Sequence, residues 1–106
     1  MTARLVLCTC PDAPTASRLA RALVEERLAA CVNVVGGVSS TYHWNGEVHV
    51  DDEVLLVIKT MADRFEAMQA RLVALHPYDV PEVLAIEPDG GAAPYLAWLE
   101  RETRPA

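Results

Sequence analysis

Asn45-Gly46, set between two β-rich runs, constrains this chain more than any other feature. A type I′ turn needs positive φ at both central residues, and Asn-Gly is the pair that supplies it most readily. Folding the chain about that turn places Trp44 opposite Glu47 and Tyr42 opposite His49. The flanking runs, 31–44 and 47–60, are equal in length, and at ~3.3 Å per residue each extends about 45 Å. A compact domain of this length has a radius of gyration of ~13 Å. The hairpin is therefore expected to overshoot its own globule. Gly36-Gly37 marks a bend or bulge on one strand, and Asp51-Asp52-Glu53 marks the matching place on the other. The inner half, "VLLVIK" (54–59), is apolar on both faces and belongs at the centre of a sheet. The outer half carries Tyr42 and Trp44 with nothing in its own domain to cover them. Such a ribbon calls for a partner.

The elements around the hairpin follow from local signals. "RLVLCTC" (4–10) reads as a buried strand ending at Pro11. Asp12 is a good N-cap with Pro14 in the first turn, and Ala16, Leu19, Ala20, Leu23, Val24 and Leu28 form a helical stripe, so helix one is expected to reach Leu28. Thr60 to Asp63 reads as a capping box before a second helical stripe of Met61, Phe65, Met68, Leu72 and Leu75. Pro77 cannot continue that helix. "EVLAIE" (82–87) reads as the last core strand, and Tyr95, Trp98 and Leu99, behind Pro94, suggest a short C-terminal helix. The order β-α-β-β-α-β plus a terminal helix gives an α/β (α+β) fold: a ferredoxin-like sandwich with a long projecting hairpin, in a single domain over 1–106. That architecture hosts many functions and decides none.

Composition removes several classes. A net charge of −6, with nine scattered Lys and Arg, argues against a binder of nucleic-acid phosphates. No run approaches the ~20 apolar residues of a membrane span, and the first residues are too short for a signal-peptide core. A cytoplasmic protein is the expectation, and three cysteines fit reduced thiols better than a disulfide framework. There is no G-x-S-x-G, no zinc-protease helix and no phosphate-cradling glycine loop, so no enzyme is expected.

Five stretches together carry a resemblance: "LVEERLAACVNVV", "SSTYHWNGEV", "LLVIKT", "LHPYDVPEVLAI" and "YLAWL". In this order and spacing the chain resembles the CutA family of divalent-cation tolerance proteins over nearly its whole length. The resemblance implies a ferredoxin-like protomer assembled as a homotrimer, its hairpins reaching onto neighbouring subunits. It implies a role in tolerance of copper and other divalent metals, with no agreed enzymatic activity, and a trimer like that of the PII signal proteins. Residue by residue, it places copper ligands at Cys8 and at His76, the histidine before Pro77-Tyr78. Some relatives carry a second histidine where this chain has Leu75. Cys10 is not expected from the family.

Each candidate also has a structural reading. Cys8 and Cys10 are two apart on one strand and share a face. Their thiolates suit Cu(I), yet buried cysteine commonly packs as a small hydrophobe. Cys31, in "LAAC", is expected to pack. His43 and His49 lie on the hairpin, exposed or at an interface. His76 follows a helix end, where an imidazolium is favoured by the dipole and can bond the last carbonyls. Pro77, Tyr78 and Pro81 fix a connector into the last strand. Asp51, Asp52 and Glu53 read as solvated acids. Two functions stay open: a metal-response protein that binds copper or a related divalent ion weakly, and a trimeric signalling or scaffold module with a small ligand or partner in its subunit clefts.

Overall fold

The computed structural model describes residues 2–105. Strand β1 (Ala3–Cys10) leads into helix α1 (Ala13–Glu25), then strands β2 (Cys31–Trp44) and β3 (Glu47–Met61). A 3-10 turn at Ala62–Arg64 opens helix α2 (Phe65–Leu75), followed by strand β4 (Leu84–Ile86) and helix α3 (Ala93–Glu102). The sheet runs β2-β3-β1-β4 with every neighbouring pair antiparallel. This is the ferredoxin-like arrangement expected from the order of elements.

The pleat decides what is buried. Val6, Cys8 and Cys10 of β1 and Val54, Leu56 and Ile58 of β3 point to one face. There they pack with Ala16, Leu19 and Leu23 of α1 and Met68 and Leu72 of α2 to form the core. On the opposite face, Ala3 and Met61 pack with Leu99 of α3, which covers one end. Beyond that end, Leu5, Leu7, Leu55 and Val57 are half-buried and Leu84 and Ile86 are exposed. Among the described residues no layer covers this apolar stretch of sheet. The inner half of β3 is thus apolar on both faces for two different reasons.

The hairpin follows its turn. Asn45 (φ 51°) and Gly46 (φ 78°) are both left-handed, and the register pairs Trp44 with Glu47 and Tyr42 with His49. Gly36 and Gly37 form the bulge, where the register jumps between Val35 and Val38. The longest dimension of the molecule is 44 Å against 27 and 22 Å, so the hairpin does overshoot the globule. A Cβ at Gly46 would meet no neighbour, but its φ is one that L side chains rarely adopt. Gly46→Val should therefore cost about 1–3 kcal/mol and fray the hairpin tip first. Faster amide exchange confined to residues around 42–49 would show this; unchanged exchange and melting would rule out the strain.

Three expectations need correction. Helix α1 stops at Glu25, not Leu28. Arg27 turns left-handed (φ 58°), and the N–H groups of Arg27 and Leu28 return to the carbonyls of Val24 and Leu23. That closure is a Schellman motif, and it sends Leu28, three residues past the last helical residue, into the core. Thr60 is no capping residue: β3 runs past it to Met61, and its buried hydroxyl donates to the Leu28 carbonyl at 2.7 Å. The last strand is only Leu84–Ile86, an exposed edge beside β1 rather than a core strand over 82–87. Only three of its residues find partners on β1.

Candidate functional site

Strand β1 and the end of α2 build the candidate site. Alternation along β1 sends Cys8 and Cys10 into the core, each with 0% exposure. Pro77 stops α2, and His76 leaves the helix in an extended conformation (φ −73°, ψ 139°) while its N–H still bonds the Leu72 carbonyl. This turns the imidazole toward the end of β1, where it is buried. The Tyr78 N–H donates to His76 Nδ1 at 3.1 Å, which leaves the proton on Nε2. Nε2 donates to the Thr9 carbonyl at 2.9 Å.

The ring therefore does not bond the last carbonyls of α2, as expected from the helix end, but ties the connector to β1. Both nitrogens are satisfied by backbone 67 and two residues away. Tyr78 adds to the tie by packing its ring at 4.7 Å from the imidazole.

The same arrangement brings together Cys8, Cys10 and His76, whose ligand atoms lie within 4.8 Å of one another. His76 Nε2 is 3.9 Å from the Cys10 sulfur. The hydrogen-bonding thiol of Cys8 lowers the Cys10 thiol below its ordinary value. That contact pushes Cys8 well up, and burial adds to the effect. Two sulfurs and one imidazole form a soft donor set that suits a thiophilic cation, not Mg²⁺ or Ca²⁺. Two sulfurs bonded at ~2.3 Å to one ion stand about 4 Å apart, so the cluster needs only small adjustments to converge. The cost of recruiting the imidazole is the Nε2 proton and its bond to Thr9. The residues fit a soft ion on those terms.

Other candidates lie elsewhere. Cys31 pairs with Lys59 on β2 and β3, half-buried. His43 pairs with Val48 near the hairpin tip, and His49 stacks on Tyr42 with ring centroids 5.6 Å apart. The acids read as solvated do more than face water: Asp51 accepts the Tyr42 hydroxyl, and Glu53 accepts the Tyr78 hydroxyl at 2.7 Å. These contacts line a groove of about 880 Å³ between the hairpin and the 77–82 connector. Its aromatic walls are Tyr42, Trp44 and Tyr78. The acidic run 51–53, which the register sets opposite Val38 to Ser40, is the one sequence signal that lies on this groove.

Comparison with known proteins identifies relatives of this arrangement. The family model described as CutA1 divalent ion tolerance protein matches residues 4–102. The divalent-cation tolerance protein CutA of Thermus thermophilus is 50% identical over 99 residues, covering 93% of this chain and 96% of that protein. The chloroplastic protein CutA of Arabidopsis thaliana is 45% identical over 100 residues, 94% of this chain but 55% of that longer protein. Among solved structures, CutA of Xylella fastidiosa superposes with a TM-score of 0.95 at 43% identity, over 98% of this chain and 100% of that one. A periplasmic divalent cation tolerance protein CutA from Archaeoglobus fulgidus superposes at 0.93 with 28% identity, over 96% and 99%.

Proposed function

Because this chain belongs to the CutA1 family of divalent ion tolerance proteins, we propose that it serves in the response to metal ions by holding a soft cation, copper foremost, weakly at Cys8 and His76 with Cys10 as third ligand. The supporting observation is the convergence of two sulfurs and an imidazole within 4.8 Å in a buried pocket. A metal there would supply charge and fix the strand end to the connector; it would drive no catalysis. Affinity is held down because the imidazole must give up its bond to Thr9 and the ion must shed water in a buried place. The functional assembly proposed is a homotrimer, and its proposed location is the cytoplasm, where thiols stay reduced. Among the described residues no helix is long and apolar enough to cross a membrane.

The test is an anaerobic copper titration of the wild type, Cys8→Ser, Cys10→Ser and His76→Ala proteins at pH 7.5 and 5.5. Ligands must lose protons to bind, so affinity should fall at the lower pH. Each cysteine variant should bind at least about tenfold more weakly, as losing a ligand costs on the order of 1.4 kcal/mol or more. His76→Ala also frees the Thr9 carbonyl and Tyr78 N–H, so it should lose stability as well as affinity. Equal copper affinity in all four proteins would exclude this cluster.

The groove favours a second reading, a trimeric module of signalling or scaffold type that binds a small ligand or partner. It is large enough for a small molecule, and it lies beside the connector that His76 fixes.

A further inference from the structure

We infer that the groove between the hairpin and the 77–82 connector is a binding site for an organic polycation of the polyamine class. This deepens the small-ligand reading, on which it rests, and it does not depend on metal at the cysteines. The groove has about 880 Å³ of space, within the range of small-molecule sites. All its walls come from one chain.

Its charge is of one sign. Asp51, Asp52, Glu53, Asp79 and Glu82 line it, and no Lys, Arg or His among the described residues does. Among the described residues none of these acids takes part in an ion pair; the paired acids lie elsewhere. A phosphate-bearing ligand such as a nucleotide would meet repulsion along this wall. A hydrated inorganic cation would answer the charge but make no use of the aromatic walls. An alkylammonium ion answers both, setting its charge against carboxylate and ring face and its methylenes against the rings.

The site is also held in shape. Tyr78 is clamped to Glu53 and Tyr42 to Asp51, so rings and acids are fixed relative to one another before any ligand arrives. Asp51 and Glu53 share one face of β3, about 6.6 Å apart at ~3.3 Å per residue. That spacing matches the ammonium groups of a short aliphatic diamine. Trp44, 49% exposed at the groove, leaves ring surface for a ligand to cover.

Spermidine is the probe, titrated into metal-free protein with chelator present and read through Trp44 fluorescence in a Trp98→Phe background. A saturable change is expected that sodium chloride at matched ionic strength and ATP do not reproduce. Asp51→Asn combined with Glu53→Gln should weaken it at least tenfold, while Glu25→Gln, an exposed acid away from the groove, should not. No saturable change, a change that salt reproduces, or equal affinity in the double variant would overturn the inference. Melting curves of the variants confirm that they fold, and Trp44→Phe, read by calorimetry, should retain most of the affinity. Cys8→Ser should bind spermidine as the wild type does, so loss of copper binding and loss of polyamine binding report on separate sites.

Discussion

At micromolar concentration the protein is expected to sediment as three chains, and Leu84→Asp is expected to release folded single chains. The reason lies in the uncovered part of the sheet. Leu5, Leu7, Leu55 and Val57 are only half-buried there, and Leu84, at 59% exposure, stands beside them on the edge strand. A contiguous apolar face of this kind is rare on a lone soluble chain and marks an interaction surface. Burying a Leu or Val side chain fully contributes about 1.5–3 kcal/mol, and closed symmetry repeats each contact in every copy. A carboxylate at position 84 would have to lose its water without a partner, so association should fail while the core on the helix side persists. Sedimentation velocity with circular dichroism on the same samples checks both halves. A wild type that stays monomeric, or a Leu84→Asp protein that stays assembled, would refute this use of the face.

Tyr42 and Trp44 belong to the same argument. Tyr42 finds Asp51 and His49 within its own hairpin, and Trp44 lines the groove. Both rings remain exposed, Tyr42 at 41% and Trp44 at 49%, so the hairpin aromatics and the aliphatic sheet face are both open to a partner.

The second large effect is expected from Leu56→Ala, at about 2–5 kcal/mol of destabilisation. Leu56 is fully buried at the centre of the sheet, facing the layer of α1 and α2. Truncation leaves a cavity that the closely paired strands on both sides cannot collapse to fill. Its neighbour Leu55 points to the opposite, half-covered face. Leu55→Ala should cost clearly less in a single folded chain and weaken association instead. Denaturant unfolding at several protein concentrations separates the two effects, because only the association term depends on concentration. Equal, concentration-independent losses for the two variants would mean that the faces have been assigned the wrong environments.

Much of the candidate site was legible residue by residue. Cys8, Cys10 and His76 could each be singled out from the sequence, the first two because a strand's alternation puts both on one face. Their convergence is a matter of packing. It depends on α2 ending where the tip of β1 passes, and on the imidazole turning away from its own helix to the Thr9 carbonyl. The groove was missed because its two walls are brought together only by packing. Glu53 and Tyr78 are 25 residues apart, and neither the acidic run nor the connector signals the other.

The sequence by itself determined what backbone torsions decide locally. Asn45-Gly46 set the turn and with it the cross-strand register, Gly36-Gly37 set the bulge, Asp12 capped α1, and Pro77 ended α2. Those choices hold because each residue restricts φ, ψ or backbone bonding whatever surrounds it. Tertiary structure decided every choice with competing partners. Leu28 left the helical stripe because the core accepted it once Arg27 turned left-handed. Thr60 gave its hydroxyl to the Leu28 carbonyl instead of a helix end, since β3 carries it past that position into the buried sheet. His76 bonded a carbonyl 67 residues away in place of those one turn back. A polar group excluded from water takes whichever partner packing brings within reach, and that partner is fixed only when the layers close.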